Sequence, residues 1–303
     1  MTEAIIQITN LHKFYGKVHA LRGLNLTVQP AEVFGFLGPN GSGKTTTIRC
    51  MLDLIRPSRG SIEIFGIDPQ KHPQQVKARV GYLPGGLVLE GDFTTRKYLK
   101  YLRRLRVDKR NWDALLELAH RLDLPLDQKI ETLSQGNRQK VGLLQSFVGQ
   151  VPLMMLDEPT LGLDPLMQQE VLNIIREEAR RGTTVFFSSH ILSEVQKIAD
   201  RVGIIRHGTL VEISQTEDLI NRALTRVIVQ FSTSVSEESF DHLANINILR
   251  INDDHRSFTI EVSGEMDGLI KTLAQYPVSD LAIHRPSLEE VFLKYYKDDE
   301  VEA

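Results

Sequence analysis

Two rhythms of apolar and polar residues divide this 303-residue chain. Up to about residue 220, short unbroken apolar runs alternate with stretches of helical spacing. Val33-Phe34-Gly35-Phe36-Leu37 is apolar throughout, as a strand buried on both faces must be. Val80 to Leu83, Leu153 to Leu156 and Thr184 to Phe187 repeat that signature, and Thr45 to Leu54 reads as a helix. Strands that recur with helices between them predict a parallel sheet covered by helices. Ile5 to Ile8 and Leu24 to Val28 predict a small antiparallel sheet near the N-terminus. Residues 93–149 break the alternation with helical patterning almost throughout, as an insert (about 90–150) in an α/β core would.

After about residue 222 the rhythm changes. Val227, Val229 and Phe231 alternate as a half-buried strand, and Ser236-Glu237-Glu238 offers a cap and an acidic first turn for a short helix. Strand patterns follow at Ile246–Ile251 and Phe258–Val262. Met266, Leu269, Ile270 and Leu273 then repeat at the spacing of one helix face. Leu281–Ile283 supplies a last strand. Ser287 and Glu290 form a capping box before a helix with the face Leu288, Val291, Phe292 and Tyr295. The order βαββαβ plus a final helix predicts a ferredoxin-like accessory domain.

Composition narrows the function classes. The length suits two domains, each large enough for its own core. A net charge of −3 gives no global pull towards nucleic acid. The single cysteine, Cys50, excludes an intrachain disulfide and is expected to pack in the helix after residue 44. The histidines show no ligand-like spacing. Neither a secretory signal nor a run of about 20 apolar residues is visible. If the protein works at a membrane, another polypeptide must cross it.

Two stretches carry chemistry. Gly38-Pro39-Asn40-Gly41-Ser42-Gly43-Lys44-Thr45 matches G-x-x-x-x-G-K-[ST] between a predicted strand and a predicted helix. Glycines let the backbone close on phosphate oxygens, and N–H groups from about Gly41 to Thr45 would point inward at a helix N-terminus. Lys44 would reach the β- and γ-phosphates, and the Thr45 hydroxyl would ligate Mg²⁺. Asp157 and Glu158 end a buried strand, where parallel sheets bind ligands. Their side chains diverge, which predicts two tasks: Asp157 for Mg²⁺ and Glu158 as acceptor of the proton from the attacking water.

With Leu133-Ser134-Gln135-Gly136, Gly162-Leu163-Asp164 and Ser188-Ser189-His190 added, residues 4–213 resemble the ATP-binding subunit of an ABC transporter, of the ABC-2-type, drug-exporter-like branch. The fold implied is α/β. A P-loop NTPase (RecA-like) core with a small antiparallel β subdomain and a helical insert would span residues 1–220. The C-terminal α+β ferredoxin-like accessory domain (βαββαβα) would span 222–303. The resemblance implies ATP contacts from Gly38 through Thr45 and from Thr46, with Tyr15 of Phe14-Tyr15-Gly16 stacking on adenine. Ser134, Gln135 and Gly136 would form the signature that binds the γ-phosphate held by a second subunit, although Gln stands where Gly is usual. Asp164 would lie in the loop at the dimer interface, and His190 would contact the γ-phosphate and the Glu158 region. ATP and Mg²⁺ are the implied cofactors.

Gly85 departs from the pattern, because it stands where the family usually places Gln after Val80-Gly81-Tyr82-Leu83-Pro84. Solvent could complete the Mg²⁺ shell, a nearby residue could substitute, or hydrolysis could be slower. Gly85→Gln is expected to change turnover and leave ATP binding almost unchanged.

The resemblance further implies a homodimer or heterodimer of ATP-binding subunits, two copies head to tail around two ATP molecules. Its partner would be an integral membrane permease, with the chain at the cytoplasmic face of the cell membrane and no nucleic acid bound. Arg96, Lys97, Lys100, Arg103, Arg104, Arg106, Lys109 and Arg110 form either a solvated helical face or a contact surface near anionic headgroups. Arg285-Pro286-Ser287-Leu288-Glu289-Glu290-Val291-Phe292-Leu293 resembles the tail of exporter ATPases, or belongs to a domain that only stabilises the dimer. A rival class is a soluble ABC ATPase that remodels a ribosome or nucleic-acid complex. Such proteins usually carry two cassettes or a long coiled-coil insertion, and neither is present. A P-loop kinase or GTPase would lack the 133–136 motif and His190.

Overall fold

The computed structural model describes residues 4–89, 92–221 and 225–284. The chain divides into two compact units, Met1–Ser214 and Gln215–Ala303.

In the first unit, β1 (Ile6–Tyr15), β2 (Val18–Val28) and β4 (Arg59–Ile64) form an antiparallel sheet in the order β2-β1-β4. The first two strands run well beyond the expected apolar stretches. Their outer halves carry polar residues such as half-exposed His12 and Lys13 and exposed Arg22, and hairpin pairing from Ile6↔Val28 to Tyr15↔Val18 holds them. The expected pair is therefore a three-stranded sheet. β4 escapes the pattern because only Ile62 and Ile64 of its six residues are buried.

The second sheet has the order β5-β6-β7-β3-β8-β9. Its members are β3 (Val33–Leu37), β5 (Val80–Leu83), β6 (Leu153–Asp157), β7 (Thr184–Ser189), β8 (Arg201–Arg206) and β9 (Thr209–Gln215). β5, β6, β7, β3 and β8 are joined by parallel pairing. Every residue of β3, β6 and β7 is buried, as their unbroken apolar runs require. Phe34 stacks on Phe186 at 5.7 Å between ring centroids, and the core spreads from these rings to Ile48, Met51 and the inner face of β1.

Helices α1 (Lys44–Met51), α2 (Pro73–Ala78), α6 (Pro165–Arg180) and α7 (Leu192–Ile198) accompany this core. The helical insert contains α3 (Thr95–Arg104), α4 (Trp112–Arg121), a 3-10 turn at Ile130–Thr132 and α5 (Gln135–Ser146). The eight-residue basic run does not form one face. Lys97, Lys100, Arg104 and Lys109 are exposed. The other four are half-buried and engaged. Arg96 makes a two-pronged bond with Asp127 (2.7 and 2.9 Å), and Arg103 Nε donates to the Arg110 carbonyl (2.6 Å). Arg106 donates to the carbonyls of Lys77, Ala78 and Val80, and Arg110 pairs with buried Glu178.

The second unit starts with α8 (Thr216–Asn221), so the division falls ahead of the change of rhythm near residue 222. β10 (Thr225–Phe231), β11 (Ile246–Ile251), β12 (Ser257–Val262) and β13 (Val278–His284) form an antiparallel sheet in the order β11-β12-β10-β13. Val227, Val229, Phe258 and Ile260 pack with Phe240, Leu269 and Leu273. The short helix expected after Ser236 is a 3-10 helix, Glu237–Phe240, and Ser236 provides no side-chain cap. In α9 (Asp267–Leu273), Leu269 and Leu273 are buried while Ile270 is half exposed, so the apolar face is narrower than its spacing predicts. The capping box Ser287/Glu290 and its helix lie outside the described residues.

Candidate nucleotide site

Sheet register assembles the site. β3 lies between β7 and β8 with Leu37 beside Ser189, and β6 sets Asp157 beside Ser188. The C-terminal ends of β3, β6 and β7 thus meet at one edge, where a parallel sheet receives ligands. The loop leaving β3 is anchored by Gly38 N donating to the Ser189 carbonyl (3.2 Å) and Ser42 N to that of Pro39 (3.2 Å). Gly41 and Gly43 take φ values of 80° and 114°, a left-handed region that other residues enter only with strain. Gly43 also packs closely, since a Cβ there would lie 2.8 Å from Leu21 Cδ2. α1 then begins at Lys44, and the N–H groups of its first turn lack intrahelical partners. Free N–H groups and the positive end of the helix dipole on one loop suit an anion.

Lys44, Glu158 and His190 form one polar chain at this edge. Lys44 is 5% exposed, and its ammonium donates to the carbonyls of Gly38 (2.6 Å) and Pro39 (3.1 Å). It lies 3.2 Å from Glu158 Oε1, and Glu158 Oε2 lies 2.7 Å from His190 Nδ1. Glu158 reaches both from a left-handed backbone (φ 53°), which costs a non-glycine residue about 1–2 kcal/mol. Its neighbours hold it there. Glu158 N donates to the carbonyl and the hydroxyl of Ser188, and its own carbonyl accepts from Leu161 N and Gln139 Nε2. The two adjacent carboxylates thus have different partners, Ser188 for Asp157 and Lys44 with His190 for Glu158.

Asp157 is fully buried. Its Oδ1 accepts from the Ser188 hydroxyl at 2.5 Å, while Oδ2 has no hydrogen-bond partner. A buried carboxylate oxygen without a partner is costly, and a divalent cation would satisfy it. The donors expected from the sequence, the Asp157 carboxylate and the Thr45 hydroxyl, are hard oxygens of the kind that suit Mg²⁺. Among the described residues no group of three or more acidic, His or Cys side chains converges as a cage. Phosphate oxygens and water would have to complete the shell, which is how Mg²⁺ is usually held beside phosphates. Burial, with Asp157 nearby, pushes the Tyr82 phenol up to about 12 and keeps it neutral.

Gly85 sits against this carboxylate. A Cβ at Gly85 would lie 2.7 Å from Asp157 Oδ2 and 2.9 Å from its Cγ. A side chain here requires the Asp157 carboxylate to shift, which bears directly on the expectation that Gly85→Gln spares ATP binding. The first added carbon would press on the carboxylate expected to hold Mg²⁺.

Other expected residues lie in distinct places. Tyr15 is 45% exposed at the tip of the β1–β2 hairpin, with the Lys13 ammonium 5.1 Å from its ring centroid. That hairpin is tied to the phosphate loop, because Gly208 N donates to the Ser42 carbonyl and Arg22 N donates to that of Gly208. The exposed Tyr15 ring is of the kind on which a base can stack. Pro39 and Thr46 are half-buried, Asn40 and Gly41 are exposed, and Ser42 is buried with an unpartnered hydroxyl. Ser134 caps α5 by accepting from Asn137 N (3.3 Å). Gln135 is exposed, and Gly136 faces the Gly162 carbonyl, which lies 3.1 Å from where a Cβ would stand. Residues 134–136 therefore group with the loop around Gly162. The Asp164 carboxylate caps α6, accepting from Leu166 N and Met167 N.

Sequence reasoning gave no role to Gln139, Thr160 or Glu194, and named Ser188 only as part of the motif ending at His190. Gln139 links α5 to the Glu158 and Pro159 carbonyls (2.9 and 3.3 Å). Its spacing from Ser134 on one helix was the available signal.

A phosphate loop, a buried aspartate with a free oxygen, and a glutamate bonded to a histidine define a P-loop ATPase site. The chain belongs to the ABC transporter family as an ATP-binding subunit: it binds ATP and is an ATPase. The ABC transporter family profile matches residues 21–161. The bacitracin transport ATP-binding protein BcrA of Bacillus licheniformis is 33% identical over 302 residues, covering 96% of each chain. The daunorubicin resistance ATP-binding protein DrrA3 of Streptomyces coeruleorubidus is 32% identical, covering 99% of this chain and 98% of its own. A solved ATP-binding subunit of an ABC transporter superposes with a TM-score of 0.65 at 26% identity, over 71% of this chain and 91% of its own. A dimeric ATP-binding cassette bound to ADP and Pi shares the fold at 20% identity and a TM-score of 0.63, over 70% of this chain and 98% of its own.

Proposed function

We propose that two ATP-binding subunits close head to tail around two ATP–Mg²⁺ and drive export of a substrate through a separate permease of the ABC-2 type. Glu158 accepts the proton of the attacking water, and His190 holds the Glu158 carboxylate and contacts the γ-phosphate. Lys44 and the first turn of α1 hold the phosphates. Thr45 and Asp157 hold Mg²⁺, which supplies charge neutralisation of the phosphates. Tyr15 stacks on adenine. Ser134, Gln135 and Gly136 meet the nucleotide of the other subunit, with Asp164 and its loop at the same interface.

The observation that carries this reading is the continuous chain Lys44–Glu158–His190 at the start of α1. It places a candidate base beside the group that would hold the terminal phosphate. Residues 134–136 group instead with the Gly162 loop, which supports a site completed by a second subunit. Hydrolysis then removes the charge that holds the pair together, and the clamp opens.

Export rests on the relatives, whose names speak of bacitracin transport and daunorubicin resistance. Work at the cytoplasmic face of a membrane follows from the permease. No helix among the described residues is long and apolar enough to cross a membrane. Exposed Lys97, Lys100, Arg104 and Lys109 would face the permease and its anionic lipid surroundings. We read the first unit as the ABC ATP-binding domain and the second as a ferredoxin-like accessory domain, supported by its separate core and β11-β12-β10-β13 order.

Affinity purification of the full chain from detergent-solubilised membranes tests the reading. A stoichiometric integral membrane partner that raises its ATPase rate supports it. Ribosomal or nucleic-acid complexes in place of a membrane protein would move the chain to the remodelling class.

A further inference from the structure

Glu194 is the carboxylate that the mechanism so far leaves unused. It sits in the first turn of α7, is 4% exposed, and has no cation within ion-pair distance among the described residues. Burying a carboxylate away from positive charge is unfavourable unless other groups satisfy it. Two hydroxyls do. Thr160 Oγ1 donates to Oε1, and Ser189 Oγ donates to Oε2 at 2.6 Å.

Thr160 lies in the loop that carries Glu158, and Ser189 ends β7 directly before His190. Thr160 closes the turn that starts at Glu158, where Leu161 N returns to the Glu158 carbonyl. Ser189 immediately precedes His190, and its Oγ also accepts from Ile191 N (2.9 Å), so the Ser189 hydroxyl brackets His190 on both sides. The Ser189 hydroxyl has one proton and two acceptors in reach, Glu194 at 2.6 Å and the Ile191 carbonyl at 3.3 Å. The shorter, charge-assisted bond wins. Without Glu194 the proton would swing to Ile191, and Thr160 would lose its acceptor. Both ends of the 2.7 Å His190–Glu158 contact are thus referenced to one buried group.

We propose that Glu194 is a positioning residue for ATP hydrolysis, holding His190 against Glu158 by tying Thr160 to Ser189. The inference rests on the reading that Glu158 and His190 act in hydrolysis. Glu194 touches neither nucleotide-loop residues nor Lys44 in any described contact, and the Ser189 it holds by the hydroxyl anchors the loop through its main-chain carbonyl instead, so loss of Glu194 is expected to act on turnover more than on binding.

The test uses the purified full chain with Glu194→Ala, Glu194→Gln, His190→Ala and the double variant Glu194→Ala/His190→Ala. ATPase rate, affinity for a fluorescent ATP analogue and melting temperature are measured on each. Misplacing a reacting group by about 1 Å can cost about 10²-fold, so Glu194→Ala, with a smaller displacement, is expected to lower kcat by about tenfold. Affinity should stay within about twofold, and Glu194→Gln, which keeps one acceptor oxygen, should recover part of the rate. In the His190→Ala background, Glu194→Ala should add less than about twofold, because groups acting through one contact are not additive. Independent losses that multiply in the double variant would overturn the proposal, as would parental turnover in Glu194→Ala. A fall in kcat accompanied by an equal fall in affinity and melting temperature would reduce Glu194 to a structural role. If Glu194→Ala misfolds, Ser189→Ala and Thr160→Val carry the same double-variant test. Parental turnover in His190→Ala would instead remove the underlying reading of the site.

Discussion

Replacing Gly85 with alanine adds one carbon, and the structure says where it would go. The new Cβ would stand 2.7 Å from Asp157 Oδ2, while non-bonded atoms in a packed interior settle at about 3.5 Å. The carboxylate would have to move by about 0.5 Å or more, and it is not free to do so. Its other oxygen is held by the Ser188 hydroxyl at 2.5 Å, and that hydroxyl in turn accepts from Glu158 N at 3.1 Å. Displacing Asp157 therefore disturbs both the expected Mg²⁺ ligand and the backbone turn that aims Glu158. Overpacking of this kind costs about 1–3 kcal/mol of stability. A misplacement of this size should lower turnover by about tenfold. The assay is ATPase rate against Mg²⁺ concentration, with affinity for ATP measured in the presence of Mg²⁺ and of EDTA. Gly85→Ala should raise the Mg²⁺ requirement and weaken ATP binding only where Mg²⁺ is present. Parental turnover at the parental Mg²⁺ requirement would refute the view that Asp157 Oδ2 is a metal ligand held clear by Gly85.

Arg110→Ala removes the main partner of buried Glu178 and leaves, among the described residues, exposed Arg181 at 2.6 Å. Breaking a buried pair should cost about 3 kcal/mol and lower the melting temperature by about 5–10 °C, with ATP affinity unchanged. Cys50 is fully buried, and its thiol is pushed up to about 11 by burial. A thiol reagent at pH 8 should label none of the native chain and one thiol after denaturation, and fast native labelling would contradict this packing. Reversing Lys97, Lys100, Arg104 and Lys109 to glutamate should abolish binding of the full chain to anionic vesicles at low salt. It should leave nucleotide affinity unchanged. Undiminished vesicle binding would show that this exposed group is only a solvated face.

The phosphate loop and the paired carboxylates were legible because each is a short spacing fixed by local backbone context, whereas His190 stood out only through the family resemblance. Strands β3, β6 and β7 were legible because burial on both faces leaves no polar position to interrupt them. The same logic explains the misses. β4 and the outer halves of β1 and β2 are half-exposed, so their polar residues hide the strand and only cross-strand pairing reveals it. Val202-Gly203-Ile204-Ile205 of β8 is buried, yet the run is short, carries a glycine and is flanked by Arg201 and Arg206. The basic run looked uniform because one-dimensional spacing does not show that Arg106 bonds carbonyls at residues 77–80 or that Arg110 meets Glu178. Glu194 reads as one more polar residue on a short helix until the sheet brings Thr160 and Ser189 to it. The contact between Gly85 and Asp157 likewise exists only after β5 and β6 have paired.

The most direct test of the clamp is Glu158→Gln in the full chain with ATP and Mg²⁺. The amide keeps the shape of the side chain and cannot take the proton of water, so turnover should fall by about two orders of magnitude or more. ATP should then hold two subunits together, visible as a dimer by size-exclusion chromatography that ADP does not produce. Hydrolysis at the parental rate, or a species that stays monomeric with ATP bound, would contradict the account.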